Sequence, residues 1–263
     1  MMRRMLVFAL VLGVCAASVA PGAQTPKPHA PTPSRPHAPK KVLYLTHSAG
    51  YKHDVLPLSM QLLPQIGKAH GFDVVATKDL AFLSPQSLKA YDAVVFYTTS
   101  ELPISEADKA NLLAWVKSGK GFAGIHSATD TFYQWPEYGE MIGGYFDNHP
   151  WHEEVTARVE DSKTPATRHF TSPTWTLTDE IYQFRNWDRS KRHVLLSLDP
   201  ASVDLKAAGV KRTDGDFALA WTSTTGKGRV FYTALGHRAE VWQSPEFQAH
   251  LAGGIRWILG LDQ

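Results

Sequence analysis

The chain has 263 residues, 43% of them hydrophobic, with 27 Lys plus Arg against 25 Asp plus Glu. Five of those bases and none of the acids precede residue 41, so the remainder carries 22 bases against 25 acids, which excludes an electrostatic footprint for nucleic acid. The one cysteine, Cys15, sits in the N-terminal apolar segment, which excludes disulfides, thiolate metal ligands and a cysteine nucleophile from everything after it.

Arg3 and Arg4, followed by the apolar run Met5 to Ala17, read as a signal peptide over residues 1–23. The run is shorter than the roughly 20 residues a membrane span needs. Small residues place cleavage after Ala17, Ala20 or Gly22, with Pro21 disfavouring the second. Leu12-Gly-Val-Cys15 resembles a lipoprotein box, but Val14 stands where a small residue is expected, so release is favoured over lipid anchoring. The expected location is the periplasm or the exterior. Residues 24–40 read as a linker, because the seven prolines from Pro21 to Pro39 favour extended polyproline II and pack no core. His29 and His37 within it are expected to be solvated.

Residues 41–263 are long enough to bury a core of their own. Lys41 to Thr46 is a near-continuous apolar run, as in a strand buried on both faces, and leads into a polar loop from His47 to Asp54. Leu58 to His70 has helical spacing (Leu58, Leu62, Ile66, Ala69), with Gly71 as its stop and Pro64 as a potential kink. Strands follow at Phe72 to Thr77 and Tyr91 to Tyr97. Ser105 is placed to cap a helix whose early acids suit its dipole and whose buried side is Leu112, Leu113, Trp115 and Val116. Gly121 to Ile125 is a short strand that stops on His126, Ser127, Thr129 and Asp130. This alternation predicts a parallel sheet covered by helices.

The middle of the chain is less regular. Trp135 to Gly144 reads as a short helix, and strands are expected at Glu153 to Val159, Glu180 to Phe184 and His193 to Leu198. Phe217 to Trp221 and Arg229 to Leu235 form a pair joined across Gly226-Lys-Gly228. Pro245 to Leu259 is an amphipathic helix. The expectation is one α/β domain with added antiparallel strands.

Ligands in open α/β sheets bind beyond the carboxyl ends of the strands. Here the first strand leads to His47 and His53, the third ends on Thr98-Thr99-Ser100, the fourth on His126 and Ser127, and a late one on Gly236-His237. That common placement makes His53, His126, His149 and His237 a candidate site. His70, His169, His193 and His250 lack it and read as structural or exposed. Asp179-Glu180 precedes an apolar run and reads either as solvated or as part of the site. Trp135, Trp151 and Trp187 suit packing or stacking on sugar rings. Gly124-Ile-His-Ser-Ala128 compares with a nucleophile elbow, but His126 occupies the nucleophile slot and Ser127 comes one residue late. Histidines with carboxylates also suit zinc, although the closest histidine spacing, His149 and His152, falls in what reads as a Pro-containing turn. There is no phosphate loop and no dinucleotide fingerprint.

Gly121-Phe-Ala-Gly-Ile-His-Ser-Ala-Thr-Asp130, Tyr145-Phe-x-x-His-Pro150, Asp179-Glu-Ile-Tyr182, Phe231-Tyr-Thr-Ala-Leu-Gly-His237 and Gly253-Gly-Ile-Arg-Trp257 occur in this order. Together they resemble the ThuA-like (trehalose utilisation) proteins over nearly all of residues 41–261. The resemblance implies a class I glutamine-amidotransferase-like fold, flavodoxin-like and three-layered α/β/α with a mostly parallel sheet. Without the elbow cysteine, amidotransferase activity is not expected. The family name points to disaccharide catabolism through 3-keto sugars.

The leading expectation is an exported carbohydrate-active enzyme of hydrolase, lyase or isomerase type whose ligand is a small sugar, a disaccharide or a 3-keto-glycoside. His126 would be the general acid/base, and His53, His149 and His237 would share proton transfer or metal binding. Asp130 and Glu180 would orient histidines or bind hydroxyls, with Ser127, Thr99 and Trp151 completing the sugar site. No cofactor is demanded; a divalent metal such as zinc is the one these residues would accept. The alternatives are a non-catalytic carbohydrate-binding protein and a metal-dependent hydrolase of another substrate class.

Overall fold

The computed structural model describes residues 38–262 together with 9, 10, 12 and 13. Apart from those few positions, the expected leader and linker, with Cys15, His29 and His37, lie outside the described residues. The first strand begins at Lys40, the last residue read as linker, which pairs with Phe72.

Among the described residues, nine strands form one sheet. They are β1 (Lys40–Leu45), β2 (Phe72–Thr77), β3 (Ala93–Phe96), β4 (Gly121–Ile125), β5 (Tyr145–Val159), β6 (Thr174–Arg185), β7 (His193–Leu198), β8 (Ala218–Thr225) and β9 (Gly228–Thr233). Their order is β2-β1-β3-β4-β9-β8-β7-β5-β6. The pairing makes β2, β1, β3, β4 and β9 parallel, and among the described strands only β8 and β5 run against the rest.

Among the described residues, six α-helices accompany them: α1 (Leu56–Ala69), α2 (Pro85–Leu88), α3 (Glu106–Lys117), α4 (Pro136–Ile142), α5 (Ala239–Gln243) and α6 (Pro245–Ile258). Side chains alternate along a strand, so each central strand feeds two cores. Val42, Tyr44, Ala123 and Ile125 pack with Leu63 of α1, Trp242 of α5 and Leu251 of α6. Leu43, Leu45, Phe96 and Phe122 pack with Leu88 of α2, Val116 of α3 and Ile142 of α4. Each such aliphatic or aromatic side chain, fully buried, contributes about 1.5–3 kcal/mol. The result is the expected three-layer, flavodoxin-like α/β/α arrangement.

Local signals explain the boundaries. Ser105 Oγ accepts the Asp108 N–H at 3.1 Å and starts α3; Ser244 Oγ does the same for Phe247 at 3.1 Å and starts α6. Gly226 turns the β8–β9 hairpin at φ 60°, with the Lys117 backbone too close to admit a Cβ. Gly253 lets α6 lie against the Pro165 carbonyl, where a side chain would collide.

Two expectations need correction. The strands expected from Glu153 and Glu180 begin much earlier, at Tyr145 and Thr174, because the two elements pair along most of their length. His149 and His152 therefore lie on a strand, not in a turn, and Asp179 and Glu180 are interior strand residues, both buried. The short α2 and α5 had no distinct sequence signal.

Candidate metal centre at the carboxyl edge of the sheet

His126 occupies the first position of a 3-10 turn, His126–Thr129, that follows β4 directly. Its φ is 47°, a left-handed value that strains a residue with a side chain. The turn is held by the Tyr232 hydroxyl, which donates to the His126 carbonyl at 2.7 Å. The ring is fully buried, and its Nδ1 donates to the Ala234 carbonyl at 2.7 Å, which turns Nε2 toward Glu180 and His237.

His237 follows β9 in a loop organised by Asp179. The buried Asp179 carboxylate accepts the backbone N–H groups of Gly236 (2.7 Å), His237 (3.1 Å) and Arg238 (3.2 Å). His53 leaves the loop after β1 and is buried edge-on against His126 (centroids 4.9 Å) and His237 (5.2 Å). Glu180 comes from β6, opposite His152 in the β5 register.

Three atoms then meet. His126 Nε2, His237 Nδ1 and Glu180 Oε2 are each 3.1 Å from the other two. With Nδ1 of His126 already donating, its Nε2 faces a carboxylate and a second imidazole. One proton satisfies only one of those contacts. A shared cation satisfies all of them, and ligands about 2.0–2.1 Å from an ion in a tetrahedral site lie roughly 3.3 Å apart. His53 adds a fourth donor: the ligand atoms of His53, His126, Glu180 and His237 all lie within 4.8 Å of one another. The Nδ1–H of His126 on a backbone carbonyl is the outer hydrogen bond that metal-bound histidines commonly make.

The electrostatics follow from burial and neighbours. Burial, reinforced by His126 and His237, pushes His53 down to about 3, so it is a neutral donor at ordinary pH. Burial alone would raise Glu180, but hydrogen bonds from His126 and His237 overcome it and hold the carboxyl far below its usual range. Burial raises the Asp130 carboxyl against the opposing hydrogen bond from Tyr133.

His53, Glu180 and His237 border a cavity of about 350 Å³, with Tyr51, Asp130, Phe146, His149, His152 and Tyr182 among its other walls. A larger groove of about 460 Å³ beside Thr222 and Trp257 shares no wall residue with it and lacks the convergent donors.

A family model described as ThuA, trehalose utilisation, matches residues 41–258. The chain belongs to the ThuA family. Among solved structures, this ThuA chain is similar to a ThuA-like protein of Bacteroides uniformis at 24% identity and TM-score 0.73, over 89% of this chain and 97% of the other. A ThuA-like protein of Parabacteroides merdae matches at 22% identity and TM-score 0.66, over 84% and 90% of the two chains. A cytoplasmic protein of Salmonella typhimurium matches at 15% identity and TM-score 0.55, over 83% and 98%. At these identities the likeness speaks for the fold. None of the curated proteins matches the chain.

In this ThuA fold, His53, His126, His237 and Glu180 converge, while Asp130 and His149 border the same cavity. Three residues read as sugar contacts are absent from its walls. Thr99 Oγ1 donates to the Tyr51 carbonyl at 2.9 Å and accepts from Gly50 N at 3.2 Å, so it shapes the loop that carries His53. Ser127 is fully buried, with no hydrogen-bond partner for Oγ among the described residues. Trp151 is buried against Phe217 and donates to the Asp204 carbonyl at 3.0 Å. Sequence reasoning missed Tyr51, Phe146, Tyr182 and His152 as walls, and the part Asp179 plays in holding His237. The His149/His152 spacing was the one visible signal for His152.

No described helix is long and apolar enough to cross a membrane.

Proposed function

We propose that this ThuA protein is a carbohydrate-active enzyme in which His53, His126, His237 and Glu180 hold a divalent cation such as zinc, and that it acts on a disaccharide or its 3-keto form. The observation that carries the reading is the mutual 3.1 Å approach of His126 Nε2, His237 Nδ1 and Glu180 Oε2. The family description supports disaccharide chemistry. The cavity is near the small end of the range of about 300–1,000 Å³ for ligand sites, which suits one sugar ring. Tyr51, 65% exposed at the wall, offers that ring an aromatic face.

A bound cation supplies Lewis acidity to a sugar carbonyl or hydroxyl oxygen. The role first read into His126, proton transfer, passes to Asp130. His126 is buried and committed through Nδ1 to Ala234, whereas Asp130 borders the cavity with a carboxylate that burial makes more basic. The Tyr133 hydroxyl fixes it by donating to Oδ1 at 2.5 Å. On a 3-keto-glycoside, Asp130 takes the proton from C2, the C2–H electrons form the C1–C2 double bond, and the C1–O bond breaks. The proton then passes to the departing oxygen. The step is redox-neutral and needs no other reactant.

Trehalose and its 3-keto derivative, incubated with the full-length protein and followed by NMR, test this. Turnover is expected in the wild type. Asp130→Asn should lose it with the cation retained, and His126→Ala should lose both. Sugar binding without product would overturn the enzyme reading in favour of a carbohydrate-binding protein. The basic, apolar character of residues 1–23 supports export as part of the same proposal. Cell fractionation tests that point, and an uncleaved cytoplasmic product would refute it.

A further inference from the structure

We propose that the outer oxygen of Glu180 holds a second divalent cation together with His149 and His152, so that one carboxylate bridges two ions. The inference rests on the inner centre proposed above. Glu180 divides its oxygens: Oε2 meets His126 and His237, while Oε1 faces His152 Nε2 at 3.2 Å and His149 Nδ1 at 3.5 Å. Two imidazole nitrogens and one carboxylate oxygen form a donor set that first-row divalent cations accept with positions left open. Each imidazole nitrogen stands at a distance from Oε1 that two ligands of one ion at about 2.0–2.2 Å can have.

Burial does not force this arrangement. The side chains of His149 and His152 are 48% and 46% exposed, so either ring would be hydrated at little cost if turned to solvent. The backbone is specifically shaped to bring them together. Residues three apart on a regular strand point to opposite faces. Register shifts between Phe146 and Asn148, and again between Asn148 and Trp151, insert extra residues into β5 relative to β6. The second shift takes in His149 and ends before His152, which pairs with Glu180, so both rings come to face the Glu180 carboxylate. Such bulges forgo ladder hydrogen bonds and recur beside active sites, where they re-aim side chains. Phe146 steadies the outer ring by stacking on His149 with centroids 5.6 Å apart. Paired catalytic ions typically lie about 3.5–4 Å apart, a distance a bridging carboxylate spans. The open positions of the outer ion would face the cavity, where neighbouring oxygens of one sugar ring could chelate it.

The test is zinc stoichiometry of the full chain after chelator stripping, by calorimetric titration with Zn²⁺ and elemental analysis after gel filtration. The wild type is expected to take two zinc ions per chain. The His149→Ala/His152→Ala variant should take one with the tighter step unchanged, and its melting temperature without metal should match the wild type. One zinc in both proteins would overturn this inference and leave the inner centre standing. Two in both, or an outer step of only roughly millimolar strength, would also overturn it. No zinc in the wild type would overturn the inner centre as well.

Discussion

His126 Nε2 lies 3.1 Å from Glu180 Oε2, although β4 and β6 stand five places apart in the sheet. With strands about 4.8 Å apart, a flat sheet would hold them roughly 24 Å from each other. The antiparallel half must therefore curl over the carboxyl edge of the parallel half. The bulged β5 and its partner β6 form that flap, and Glu180 is the group it delivers. The centre thus joins histidines from the parallel half to a carboxylate from the added strands.

Glu180→Gln keeps the shape of the side chain and removes its charge. The loss of zinc affinity should exceed the 10–100-fold typical of an outer-shell change. Calorimetric titration checks this, and an unchanged affinity would exclude Glu180 as a ligand.

Asp179→Asn tests the loop that carries His237. An amide oxygen cannot serve all three N–H groups as the carboxylate does, and its NH₂ opposes a donor. The expected effect is a destabilisation of about 1–3 kcal/mol in denaturant unfolding. Zinc affinity should fall about 10–100-fold through the misplaced His237.

The strained turn at His126 yields a comparison of two variants that both lack the imidazole. His126→Gly should be more stable than His126→Ala by about 1 kcal/mol, because φ 47° suits glycine and strains alanine. Equal unfolding midpoints would mean that the turn relaxes once the ring is gone.

Acid stability should register His250, buried in α6. Burial pushes it down to about 4, against the bond it donates through Nδ1 to the Ala166 carbonyl at 2.8 Å. The unfolded chain titrates this group near 6.5, so the fold holds it neutral while the unfolded state takes up a proton. Its contribution is complete above pH 6.5 and is lost as pH falls toward 4. Urea unfolding of His250→Gln should show a stability difference between pH 7.5 and 4.5 that is smaller than the wild type's by about 2–3 kcal/mol. An identical difference would remove His250 from the account.

The parallel half of the fold was legible in the sequence because its strands are short, mainly apolar runs and α3 between two of them carries a cap at Ser105. His53, His126 and His237 were legible for the same reason: topology alone sends strand ends to one edge. Glu180 was harder, since an acidic pair ahead of Ile181-Tyr182 looks like the wet flank of a strand. Its burial is compensated by histidines supplied from β4, β9 and β5, a long-range balance that no local window contains. Trp151 and Thr99 were misjudged in the opposite direction, because a polar or aromatic residue near the right edge need not face the cavity. The rotation imposed by the β5 bulges was not encoded in residue type at all.

That last feature makes β5 sensitive to length more than to chemistry. Removing one residue between His149 and His152 would leave the inventory of imidazoles intact and turn one of them half a revolution away from Glu180. An insertion elsewhere in the same strand would do comparable harm while looking harmless in an amino-acid count. For a chain built this way, spacing is itself a functional group.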